Sequence, residues 1–312
     1  MFGRKKPASS LMDEDLTFMT DSEAADLRAL IARSFAAEGL EVEVLSDHAL
    51  AADGQQFGLW NLAAACHSSE GGRKDWDGLV AGHVHTLLNP PPAVADLTDA
   101  ELLERVHSRL YDAPMLARSG TSAGEYGREI AERIIELLVA DFPEVVNTLG
   151  PADVAARDAD ALWAAGRSHT LAVPVEANGE LKARDGAKII VAMGESFYLA
   201  SRIVDMPSLL VEVFGEREYP FGVVVGVPHR HQVVLHPMDD LRSVYAAGVA
   251  AHFTATGYSD APGGISPLLY WWNGDGFQTV SRIGSDGTVG IQAEGAFLDV
   301  VNALAEVSAP SN

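Results

Sequence analysis

The sequence predicts an α+β protein in which antiparallel hairpins alternate with single helices, arranged in two lobes. Three observations point there. Turn signals such as Asp53-Gly54 and Asn273-Gly-Asp-Gly276 sit between short alternating apolar runs, as hairpins require. Helical stretches open on capping boxes, Thr20-x-x-Glu23 and Thr98-x-x-Glu101. Two strands, rather than one, repeatedly separate consecutive helices, which argues against a doubly wound sheet.

Element by element, residues 1–19 read as a flexible tail, because Asp13, Glu14 and Asp15 break its only apolar stretch. Leu27, Leu30, Ile31 and Phe35 then give one apolar face to a helix that Gly39 ends. Strands follow at Val42–Val44, near His48–Ala52 and around Phe57, then helices over 62–67 and 76–88. Asn89-Pro-Pro-Pro-Ala93 stops any helix and stiffens the chain, so a boundary is placed there. The N-terminal lobe is residues 20–92 and the C-terminal region residues 98–308, with a sub-boundary near 170–187.

In the second region, the helix opened by Thr98 is expected to run to about Leu110, with a strand over 111–117 and a Gly/Ser loop to Gly127. A hairpin over 134–149 precedes helices to about Ser168, and Asn178-Gly179 and Asp185-Gly186 read as turns. Residues 188–193 and 221–227 are buried strands, and 231–236 returns from the second. Asp205 opens a helix that Gly215 ends, and helices also cover about 240–256 and 296–307. The runs 135–154 and 223–241 echo each other: strand, proline turn, strand, then Pro-x-Asp entering a helix. An internal duplication would produce this, and so would ordinary helix-start grammar.

Composition narrows the function classes. Lys and Arg number 22 against 44 Asp and Glu, a formal charge of -22. So negative a surface repels phosphate backbones, and no nucleic-acid partner is expected. The single cysteine, Cys66, fits a reducing compartment. No apolar run reaches the ~20 residues of a membrane span, and no signal peptide is read at the start. A cytoplasmic protein is expected.

No catalytic set is diagnosed. Gly194-Glu195-Ser196-Phe197-Tyr198 lacks the last glycine of a nucleophile elbow. There is no phosphate-binding loop and no dinucleotide fingerprint, so no cofactor is expected. His229, His231 and His236 lie within eight residues. Strand alternation puts His229 and His231 on one face and His236 on the other, so no metal site is assigned. His83 and His85 point to different faces of a helix, and Cys66-His67 are mere neighbours.

Two groups of residues are binding candidates. Ser201 and Arg202 stand at a helix start, where a guanidinium and free amides could receive a carboxylate or phosphate; an ion pair with Glu195, Asp205 or Glu212 is the plainer alternative. His229 and His231 join them as ligand-binding candidates. Tyr270-Trp271-Trp272 is the densest aromatic run, read either as an interaction surface or as core on both faces.

The segments Tyr198-Leu-Ala-Ser-Arg-Ile203, Val227-Pro-His229 and Ser266-Pro-Leu-Leu-Tyr270, in that order, resemble the YtpQ-like family of bacterial proteins of unknown function. The resemblance spans roughly residues 20–285. The N-terminal tail, the region after Ile283 and the insertion around Arg230-His231 and His236-Pro237 depart from it. It implies a mixed α/β cytoplasmic protein and no particular activity. Two functional readings therefore stand. One is a non-enzymatic binding or protein-interaction module, a scaffold, chaperone-like factor or regulator, with a protein partner, self-association or a small anionic ligand. The other is a hydrolase built around Glu195, Ser201, Arg202, His229 and His231.

Overall fold

A computed structural model describes residues 11–308 except 53, 120, 121, 144, 183–185 and 187. The fold is α+β and divides into two units, 1–91 and 92–312, with the division inside the Pro90-Pro91-Pro92 stretch.

In the first unit, helix α1 (Asp21–Ala37) begins where Thr20 accepts from Glu23 N and the Glu23 carboxylate accepts from Thr20 N. This reciprocal pairing satisfies two amides that have no partner within the helix. Strands β1 (Val42–Val44), β2 (His48–Ala51) and β3 (Gln56–Gly58) form an antiparallel sheet in that order. Helices α2 (Trp60–Ser68) and α3 (Trp76–Leu88) complete the unit. Leu27, Ile31 and Phe35 of α1 pack with Phe57, Val80 and Val84. The expected tail over 1–19 is corrected for its described part. Leu16 and Met19 are fully buried in this core, and Arg28 grips Asp13 through two bonds of 2.7 and 2.9 Å. The three acidic residues that read as breaking an apolar run hide these two anchors. Residues 1–10 lie outside the described residues.

The second unit opens with α4 (Asp99–Arg105), β4 (Val106–Asp112) and α5 (Ala113–Ser119). The helix expected through Leu110 therefore stops at Arg105, and the strand expected over 111–117 lies earlier. Period-two burial decides this: Val106, Ser108, Leu110 and Asp112 are all buried and the residues between them are not. Next come β5 (Arg128–Ala131), β6 (Ile134–Asp141), β7 (Val146–Thr148), α6 (Pro151–Ala155) and α7 (Ala159–Leu171). The first sheet has the order β4-β6-β5, with β7 also on β6. Helix α7 lies so close to β4 that a Cβ on Gly166 would sit 3.2 Å from the His107 carbonyl carbon and the Ser108 amide.

Strands β8 (Ala177–Lys182) and β9 (Lys188–Met193) follow, then a 3-10 stretch (Leu199–Asp205) and α8 (Met206–Phe214). Asn178 and Gly179, expected in a turn, lie within β8 opposite Ala192 and Val191. Asp185 is outside the described residues. Strands β10 (Val223–Gly226) and β11 (Gln232–Pro237), helix α9 (Arg242–Asp260), β12 (Leu269–Trp272) and β13 (Phe277–Thr279) close a six-stranded sheet of order β13-β12-β10-β11-β9-β8. A small hairpin, β14 (Ser281–Ile283) with β15 (Val289–Ile291), and α10 (Gly295–Ser308) end the chain.

The second unit follows one path twice. Apart from β7 and α6, which precede α7 and have no counterpart in the second pass, strand, helix, strand, strand, helix runs through β4, α5, β5, β6 and α7, and again through β9, α8, β10, β11 and α9. Both times the third strand inserts antiparallel between the first two, giving β4-β6-β5 and β9-β11-β10. The repeat is thus registered differently from the echo in the sequence, which matched β6–β7 to β10–β11. Pro237 is also not a helix start: it pairs with Val223 inside the sheet, and α9 begins five residues later, at Arg242. Leu110, Ala131 and Ile134 of the first repeat share one core with Ile203, Leu209 and Val225 of the second, and both belong to one unit.

Candidate functional site

The site is built on the half-exposed face of β4. Alternation places His107, Arg109 and Tyr111 on that face, opposite Val139, Leu137 and Ile135 of β6. Two connections of the six-stranded sheet close over it. One is the Gly194–Tyr198 segment leaving β9. The other is the Val227–His231 tip joining β10 to β11. The two are fastened to each other, because Gly194 N donates to His231 O at 3.2 Å and Ala200 N donates to Arg230 O at 3.1 Å. On the far side Arg230 N donates to Gly263 O at 3.2 Å. Gly263 has φ +77, and a Cβ there would stand 3.0 Å from Arg230 Cδ, so glycine both allows the turn and leaves room for the arginine.

This scaffold brings Arg109 and Arg230 together around one ring. The guanidinium carbons lie 5.9 Å and 4.2 Å from the centroid of Phe197, which is 41% exposed. Arg109 also stacks over Tyr111 at 5.1 Å. The ion pairs among the described residues engage Arg133, Arg157, Arg167, Arg202 and others, but neither Arg109 nor Arg230. Arg109 Nε is buried with no hydrogen-bond partner. Burial first, then the neighbouring positive charge of Arg109, holds the Arg230 pKa below its ordinary value. Two half-buried cations over one ring, neither ion-paired with a described carboxylate, repel each other. In a chain of charge -22, with carboxylates abundant, that arrangement is informative.

The histidines serve this pair. Arg230 Nε donates to His231 Nε2 at 2.9 Å, so that nitrogen is an acceptor and the proton sits on Nδ1, which faces Gly194 O at 3.2 Å. His231 N in turn donates to His229 Nδ1 at 3.4 Å. Burial, then His231 and Arg230, pushes the His229 pKa down to about 4; burial and then Arg230 lower that of His231. Both imidazoles are neutral near pH 7. Alongside runs a cleft of about 620 Å³ whose lining includes Arg105, Asp141, Phe142, Glu195 and Tyr198. The Tyr198 ring stacks on His107 at 4.3 Å. Burial and the nearby Asp141 carboxylate raise the pKa of its hydroxyl.

His229 and His231 thus reach the site, whereas Ser201 and Arg202 do not. Ser201 is 1% exposed, and its hydroxyl accepts from Leu110 N at 3.0 Å. Arg202 is 3% exposed and pairs with Glu212 at 2.8 Å, while also donating to Val173 O and Ser208 Oγ. Both side chains bind the 3-10 stretch to its neighbours, so the set proposed for a hydrolase is not assembled. The aromatic surface is corrected as well. Tyr270 is 0% and Trp271 5% exposed, packed on opposite faces of the sheet, and only Trp272 is half-buried. Both faces are covered because α8 and the 3-10 stretch lie on one side and α9 and α10 on the other.

Sequence reading missed Arg109, Phe197 and the role of Arg230. Arg109 falls within the stretch that the capping box at Thr98 predicts as helix. A signal was present in the strict alternation from Val106 to Asp112, which leaves an arginine on the polar face. Among the described residues no group of three or more His, Cys, Asp or Glu is placed to hold a metal ion, and no helix is long and apolar enough to cross a membrane.

The fold and site together define an α+β protein in which two arginines, Arg109 and Arg230, are paired over Phe197. No protein-family model, curated protein or solved structure matches the chain.

Proposed function

We propose that this protein is a non-enzymatic binding module that captures an anionic group between Arg109 and Arg230. The observation carrying this reading is that two half-buried guanidiniums converge on Phe197 without an ion-pair partner among the described residues. Charge-assisted bonds to an oxyanion would supply the missing countercharge and satisfy the open donors. Backbone bonds at Gly194, Ala200 and Gly263 hold the Arg230 tip in place before any ligand arrives, which lowers the ordering entropy of binding. Chemistry is not invoked. The nearby imidazoles are neutral and engaged as acceptors for Arg230 and the backbone, and the one serine expected to act is buried against Leu110.

The test is thermal unfolding in rising acetate, sulfate or phosphate at constant ionic strength. A saturable rise in Tm is expected for at least one of these anions, and Arg230→Gln is expected to abolish it. Equal, non-saturating responses in both proteins would exclude the reading.

A further inference from the structure

Building on that reading, we infer that the Arg109–Arg230 pair selects a phosphate monoester, bound as its dianion, with the ester's organic group lying against Phe197. Arg109 and Arg230 supply two positive charges, and His229 and His231 add none at pH 7. A phosphomonoester carries about -1.5 to -2 there, which matches two guanidiniums. A carboxylate carries one charge on two oxygens, and a single bidentate guanidinium saturates it. Binding a carboxylate would leave the second arginine as unpaired as before.

Donor geometry points the same way. His231 engages Nε of Arg230, leaving its two terminal nitrogens to project as a pair. Arg109 brings a second guanidinium to the same ring, its central carbon 5.9 Å from the Phe197 centroid. Donors from two separate guanidiniums suit a group with three equivalent acceptor oxygens. Phe197 supplies the apolar wall. It is 41% exposed, and both guanidiniums lie over its ring. The cations hold it in place, and its free surface stands where the organic part of an ester would leave the phosphoryl group.

Titratable groups surround the arginines: His229, His231 and Tyr111, with Asp141, Glu195 and Tyr198 along the adjoining cleft. A ligand that does not titrate must therefore serve as the control.

The experiment is calorimetry of the full chain with phenyl phosphate, phenyl sulfate, benzoate and inorganic phosphate at fixed ionic strength. It is run near pH 8 and again near pH 5, on either side of the second phosphate pKa of about 6. Near pH 8, phenyl phosphate is expected to bind at least about tenfold more tightly than phenyl sulfate or benzoate, the step of about 1.4 kcal/mol that one added charge-assisted contact gives. Near pH 5, where it is a monoanion, that advantage over phenyl sulfate should vanish. Phenyl sulfate keeps one charge throughout, so changes in the protein's own groups cancel in the comparison. Inorganic phosphate should bind more weakly than phenyl phosphate, and Phe197→Ala should remove that difference. Phenyl sulfate or benzoate binding as tightly as phenyl phosphate near pH 8 would overturn this inference while leaving an anion site in place. Binding of none of the four would overturn both.

Discussion

Arg230 donates through Nε to Nε2 of His231, its neighbour in the chain, at 2.9 Å. That bond settles the tautomer of the imidazole and the direction of the guanidinium together. It requires His231 to be neutral, because a protonated ring has no acceptor to offer. His231→Phe keeps a ring of similar size and removes the acceptor. The variant is expected to fold and to lose about 1 kcal/mol of stability, as for one hydrogen bond. Its affinity for the best anion should fall about tenfold, because Arg230 is no longer aimed. Chemical denaturation and calorimetry measure the two effects separately.

Acid should weaken the fold through the same cluster. An unfolded histidine takes up its proton near pH 6.5, whereas His229 resists protonation in the folded state down to about pH 4. Between those values the unfolded chain binds more protons, so stability falls as pH drops through the window. His231 and His107, also lowered chiefly by burial, act with the same sign. Allowing for solvent screening, His229 should contribute about 1–2 kcal/mol to the loss. Urea unfolding of wild type and His229→Gln near pH 7 and pH 4.5 reads this directly, with the smaller loss in the variant.

The first repeat carries a buried charge whose role is architectural. Glu136 is fully buried and accepts two bonds from Arg167, at 3.0 and 2.6 Å, which also raise the arginine's pKa. Arg167→Met would strand that carboxylate and should destabilise by about 3 kcal/mol. Adding Glu136→Leu should recover much of the loss, because an apolar pair needs no desolvated charge. Anion binding should not change in the double variant, since α7 packs on the face of β4 opposite Arg109.

Arg202→Ala should behave differently from the arginines of the cleft. Its guanidinium ties Val173 O, Ser208 and Glu212 to the 3-10 stretch. Loss of these bonds should lower stability by about 2–3 kcal/mol and leave anion affinity unchanged. An unaltered Tm with abolished binding would instead restore Arg202 as the ligand-binding residue.

Much of the fold was legible because local chemistry agreed with it. The capping box at Thr20, the glycine ending α8 at Gly215 and the apolar run of β9 each specify an element without help from distant contacts. The failures share one cause. Residues 99–112 carry a capping box and then an alternating strand, and the helical signal masked the strand by spilling across Arg105. Residues 11–19 look polar because their acidic groups surround two anchors that only a tertiary core can claim. The site was hidden for the same reason. His229 and His231 stood out as types, but Arg109 matters only because an antiparallel register and two loops from the other repeat bring it beside Arg230. Nothing local distinguishes Arg202, which is ion-paired with Glu212, from Arg230, which has no such pair among the described residues.

The central claim is that Arg109 and Arg230 act together on one anion. The most direct measurement is the arginine Nε–H region of a nitrogen-15 correlation spectrum during titration with phenyl phosphate. The signals of Arg109 and Arg230, assigned through Arg109→Lys and Arg230→Lys, are predicted to shift together along one saturation curve while that of Arg202 stays still. A shift at Arg202, or at neither of the paired arginines, would contradict it.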